Sequence, residues 1–132
     1  MIERADKANF WQSVTGSLDS SDEDLSLAAA REVHEETGID VKLLPSESLQ
    51  NMHHQIEYEI YPQWRHRYAP GITENREHLF GLQLPGNLPV KLAPDEHVRY
   101  EWVDWREAAK RVFSWTNVDA IKRLGERHQL TL

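Results

Sequence analysis

Arg31, Glu32, Glu35 and Glu36 crowd into six consecutive positions directly after the small apolar run 27–30. On a helix, positions three and four apart share a face, so the three glutamates fall within one arc of about 100°. Leu25, Ala28 and Ala29 occupy nearly the same arc, and the carboxylates therefore continue the stripe that should meet the core. A merely solvated helix would carry its acids on the opposite side. Burying three carboxylates is too costly unless they are neutralised or bind cations. Hard divalent cations suit them, since Mg²⁺ prefers oxygen ligands and shares its shell with substrate phosphates. Arg31 can pair with Glu35 at i,i+4 and fix its rotamer.

The stretch from Gly16 to Ile39 resembles the signature of the Nudix hydrolases: Gly, five residues, Glu, seven residues, Arg-Glu-apolar-x-Glu-Glu-x-Gly-apolar. Arg31-Glu32-Val33-His34-Glu35-Glu36-Thr37-Gly38-Ile39 matches its second part position by position. Counting seven residues back from Arg31 selects Glu23, which leaves six residues after Gly16. Either the loop carries one extra residue or Asp22 takes the first acidic role. The resemblance implies an α+β Nudix fold, an α/β/α sandwich around a mixed sheet. Two strands normally precede the signature, and here only the tail of the second is expected, at residues 2–4, so the N-terminal strand region reads as truncated and its exposed edges would ask for a partner.

Further segments narrow the resemblance. Residues 10–16, 58–61, the Arg-His-Arg-Tyr-Ala-Pro-Gly loop at 65–71, Glu96-His97 and Ser114-Trp115 are similar to the Nudix branch that acts on pterin triphosphates. The implied reaction is Mg²⁺-dependent hydrolysis of 7,8-dihydroneopterin triphosphate to the monophosphate and pyrophosphate, a step of folate synthesis, with Mn²⁺ as a possible substitute ion. Two other readings stand beside it: a general (d)NTP pyrophosphohydrolase acting on dATP, and a truncated, non-catalytic metal- or nucleotide-binding module. The resemblance carries metal binding onto Glu32, Glu36 and Glu96, and substrate contact onto Arg4, Thr15, Tyr58, Glu59, Ile60, Tyr61 and Ser114. Glu35, on the same arc, is a further ligand or the base that takes the water proton. Base and ligand roles among Glu32, Glu35 and Glu36 stay open. The Gly16 backbone is expected to turn sharply, offering its carbonyl to the metal. Arg65 and Arg67 join Arg4 as candidate phosphate clamps, and Tyr58 or Tyr61 could stack on a pterin.

The elements that must position these residues follow from pattern and punctuation. Ser20 or Ser21, with Glu23 or Asp24 three residues on, makes a capping-box start for the signature helix, and Gly38 ends it. Phe10 and Trp11 read as core residues in a short strand leading to Gly16. Residues 39–44 and 49–61 alternate as strands, the latter with Ile56, Tyr58 and Ile60 on one face. His53 and His54 read as a solvated strand end, with no second ligand pair at a metal-like spacing. A cationic, aromatic loop at 64–71 leads to a strand at 75–84. The loop 91–97 carries Asp95 and Glu96 into a strand at 98–103. Asp104 caps a helix over 105–112, and Thr116 with Asp119 starts a terminal helix towards Leu130.

Composition bounds the rest. With 132 residues the chain is expected to be one domain with its own core. Without cysteine it has no thiolate nucleophile and no cysteine zinc site. Nothing reads as a signal peptide or membrane span, which makes the cytoplasm the default. A net charge of −7 argues against sequence-independent nucleic-acid binding. An acidic protein acting on a small anionic triphosphate, pterin or nucleoside, needs bridging cations. Nothing in the sequence fixes an oligomeric state.

Overall fold

The computed structural model describes the chain except for residues 19, 21 and 130–132. Three antiparallel strands, β1 (Ile2–Arg4), β2 (Trp11–Gln12) and β5 (His97–Tyr100), form one sheet in the order β2-β1-β5. A long antiparallel hairpin, β3 (Leu49–Glu59) and β4 (Glu74–Leu82), forms the second. The parallel component is an isolated bridge between Trp11 and Val112. Three α-helices, α1 (Leu25–Thr37), α2 (Trp105–Arg111) and α3 (Trp115–Gln129), complete an α+β architecture.

Local chemistry sets the helix ends. The Asp24 carboxylate accepts the backbone N–H groups of Ser26 and Leu27, so α1 starts there, rather than at the expected serine cap. Of those two serines, Ser21 lies outside the described residues. Gly38, at φ +73°, adopts the left-handed conformation that closes α1, its N–H bonded to the His34 carbonyl. The strand expected at 39–44 does not form. Asp40 accepts the Lys42 N–H at 3.0 Å and folds Val41–Leu43 into a 3₁₀ turn, a local bond that competes with strand pairing. Asp104 caps α2 as expected. The cap of α3 is Ser114, whose hydroxyl receives the Thr116 N–H at 3.2 Å. Thr116 itself is buried, and Leu130 lies outside the described residues.

Ile2, Phe10, Trp11, Ala28, Ile60, Ala108 and Val112 are buried, which puts the core where β1 and β2 meet α1, α2 and the end of the hairpin. Each large side chain withdrawn from water there contributes roughly 1.5–3 kcal/mol. The ring of Trp105 lies against Gly125 of α3, where a Cβ would fall 2.1 Å from it, and Leu124 meets Gly81 of β4. Glu3, also buried, receives both Arg99 N–H groups at 2.7 Å and the Asn9 N–H at 2.6 Å. These bonds pull its carboxyl down to about 2, and they hold Asn9 at φ +61°, where the chain turns from β1 to β2. Among the described residues no helix is long and apolar enough to cross a membrane.

Candidate active site

The buried line of α1 runs through Ala28, Glu36 and Thr37. Glu36 therefore points inward, with its side chain only 5% exposed. Glu32 is largely covered, whereas Glu35 is 54% exposed because the helix is turned away from its edge of the arc. Arg31 ties the signature loop to the helix. Its guanidinium donates to both Glu23 oxygens at 3.1 Å, to Glu32 at 2.7 Å and to the Ser17 carbonyl at 2.8 Å, with a longer contact to Glu35 at 3.4 Å. Glu23, not the exposed Asp22, thus fills the first acidic position, and the loop accommodates the extra residue. Gly16 does not sit at positive φ. Its glycine character serves close approach instead, because a Cβ there would fall 2.0 Å from the Glu32 carboxyl carbon.

Across from Glu36, the loop before β5 brings in Glu96 and the first residue of β5 brings in His97. The Ala5 N–H bonds to the Glu96 carbonyl, and Arg4 of β1 is in register with His97, so the sheet fixes this loop against α1. Glu36, Glu96 and His97 each offer a ligand atom, all within 4.8 Å of one another. Burial, followed by repulsion from Glu32 and Glu96, raises the Glu36 carboxyl to about 8, although a hydrogen bond from the Thr15 backbone pulls the other way. Burial also pushes Glu32 up against the opposing pull of Arg31, and pushes His97 down. Glu36 Oε2 and His97 Nδ1 are buried without a hydrogen-bond partner. Each such atom costs about 1–3 kcal/mol, and a divalent cation among these donors would remove that cost. The donor set therefore fits such an ion.

Beside this cluster lies an aromatic one. Phe10 and Phe113 stack with centroids 4.1 Å apart, and Tyr61 and Trp64 close on them edge-on or tilted. Arg4 stands over Phe10 and Trp64, Lys7 over Phe10 and Phe113, and Arg67 over Trp64. Arg4 links the two clusters, its guanidinium held by Asp6 at 2.7 Å.

Not every sequence-stretch candidate reaches this place in a free state. Arg65 is committed to the Glu59 carboxylate at 2.6 Å and the Ile60 carbonyl at 3.0 Å, which ties the cationic loop to the end of β3 and accounts for Glu59 as well. Ile60 is buried, Thr15 is exposed beside Glu36, and the Ser114 hydroxyl is 2.6 Å from Thr116 Oγ1 in the α3 cap. The Tyr58 hydroxyl accepts from Asn75, and burial raises it to about 12. His97 and Gln12 lie in segments that carried the resemblance but were given no site role from the sequence, and Phe113 was not singled out at all. The signal for His97 was its place next to Glu96 at the start of a strand, where its ring is carried inward.

Known proteins resemble this chain in sequence and fold. A family model described as NUDIX domain matches residues 1–124. The chain is 42% identical over 123 residues to the dihydroneopterin triphosphate diphosphatase of Escherichia coli strain K12, covering 93% of this chain and 79% of that one. The Haemophilus influenzae protein of the same name is 37% identical, covering 93% and 75%. Among solved structures, that of the E. coli dihydroneopterin triphosphate pyrophosphohydrolase superposes with a TM-score of 0.85 at 41% identity, covering 96% of this chain and 84% of that one.

Proposed function

The chain belongs to the NUDIX domain family, and on that premise we propose that it hydrolyses 7,8-dihydroneopterin triphosphate to the monophosphate and pyrophosphate. The observation that carries the reading is the buried Glu36 carboxylate, its Oε2 without a hydrogen-bond partner, facing Glu96 and His97 beside an aromatic and cationic cluster. Glu32, Glu36 and Glu96 would hold Mg²⁺, or Mn²⁺ in its place, with the Gly16 carbonyl as a backbone donor. Such an ion, when bound, neutralises phosphate charge and lowers the pKa of an attacking water. Glu35, the most exposed signature glutamate, is the carboxylate free to take the water proton. Arg31 keeps Glu23 and Glu32 in place and leaves Glu35 on a long, yielding contact.

Arg4 and Arg67 are the cations for the triphosphate, and Tyr61 with Phe113 and Trp64 offers the aromatic surface for the heterocycle. Thr15, Tyr58 and Ser114 act from the rim. Arg65, Glu59 and Ile60 act by fixing the loop that carries Arg67. The test is pyrophosphate release by the purified chain with Mg²⁺, given 7,8-dihydroneopterin triphosphate and dATP in parallel. Preference for the pterin is expected. Comparable turnover of both would transfer the assignment to a general (d)NTP pyrophosphohydrolase, and saturable binding without turnover to a binding module.

A further inference from the structure

We propose that His97 supplies a nitrogen donor to the cation site through Nδ1, and that Gln12 is the positioning residue that decides which imidazole nitrogen is free. The proposal rests on the cation site described above and adds a ligand of a different chemical kind.

His97 opens β5 with its side chain 4% exposed, and Nδ1 lies 3.8 Å from Glu36 Oε1 with no hydrogen-bond partner. On the other side of the ring, His97 Nε2 stands 2.8 Å from Gln12 Nε2. One of these two nitrogens must accept, and an amide nitrogen cannot. In that orientation Nε2 accepts, so Nδ1 carries the proton and becomes a buried donor with nothing to donate to. Turning the amide end for end preserves its shape and places Oε1 against Nε2–H. That arrangement satisfies Nε2 and leaves the Nδ1 lone pair aimed at the space between Glu36 and Glu96. Metal-ligating histidines show the same division, one nitrogen on the ion and the other donating to a carbonyl. Gln12 can supply that carbonyl because β2 pairs with β1, which in turn pairs with β5. Carboxylates joined by one imidazole suit Mn²⁺ better than Mg²⁺, which favours oxygen alone.

The experiment uses the untagged full chain with Mn²⁺ as the probe. Pulsed EPR of the bound ion should show coupling to ¹⁴N, converting to a ¹⁵N pattern when histidine is ¹⁵N-labelled. His97→Gln should remove the coupling and weaken Mn²⁺ binding about 10- to 100-fold, with a much smaller loss for Mg²⁺. Gln12→Leu should weaken Mn²⁺ binding about tenfold, whereas Gln12→Glu, a permanent acceptor for Nε2–H, should keep both affinity and coupling. Saturable Mn²⁺ binding with oxygen-only couplings in the wild-type chain overturns the proposal and leaves the cation site standing. Failure of Mn²⁺ to bind saturably overturns both. The labelled wild-type spectrum decides the matter even where a variant does not fold.

Discussion

Replacing Glu36 with glutamine keeps the shape of the side chain and removes a buried charge whose Oε2 has no hydrogen-bond partner. A carboxyl at about 8 when folded and at its ordinary 4.5 when unfolded binds more protons in the folded state. Its stabilising effect is therefore complete below 4.5 and is lost as pH rises towards 8. At roughly 1.4 kcal/mol per pH unit, the gap caps the loss at about 5 kcal/mol. Local relaxation and water entry around a buried ion reduce this to roughly 2–3 kcal/mol. The glutamine variant cannot suffer that loss. In chelator, urea denaturation of both proteins across pH 4 to 8.5 should show a stability difference near zero at the acid end, growing to roughly 2–3 kcal/mol in favour of Glu36→Gln at the alkaline end. Other titrating groups are common to both proteins and largely cancel in the difference. Divalent cation should restore the wild type selectively, by about 2.7 kcal/mol at one hundred times its Kd. Pyrophosphate release should be lost in the variant with its circular dichroism unchanged. A difference that stays flat with pH, or grows in the wild type's favour, refutes the uncompensated burial; normal turnover refutes the metal role.

Three other substitutions probe the supports. In Gly16→Ala the new methyl meets the flexible end of Glu32, so the carboxylate swings aside; kcat should fall at least about tenfold, while the urea midpoint moves little. Arg31→Lys loses the fork that grips Glu23 and the Ser17 carbonyl, so the loop before α1 should become more sensitive to protease, with stability lower by about 1–2 kcal/mol. Gly125→Ala drives a methyl into the Trp105 ring and should cost about 1–3 kcal/mol in urea unfolding without changing metal affinity.

The carboxylate cluster was readable because a 3.6-residue period fixes which side chains share a face, and Glu32 and Glu36 obey it. The period gives the arc, but not how the helix rolls on its neighbours, and that roll separates buried Glu36 from exposed Glu35. The choice between Asp22 and Glu23 needed the Arg31 guanidinium, which only the folded loop presents. Residues 39–44 have a strand's alternation, yet one local bond from Asp40 decided them. Arg65 and Arg67 look alike in sequence, but only a tertiary partner, Glu59, separates the braced arginine from the one over Trp64. His97 and Gln12 come from strands 85 positions apart, a contact that no local pattern encodes.

β3 carries a bulge near its middle. Asn51 pairs with Phe80 and Gln55 with His78, so the chain takes four steps along β3 for two along β4, passing through His53 at φ +54°. The surplus is two residues, an even number. Gln50 opposite Gly81, and Ile56 opposite Glu77, consequently stay on the same face of the hairpin. Loss of a residue pair within this bulge would leave a regular ladder with every later side chain of β3 facing as it does now, and loss of one would leave an ordinary single-residue bulge with the same pairs beyond it. The hairpin can therefore be shortened at this point without turning Ile56 and Tyr58 away from the face they now line.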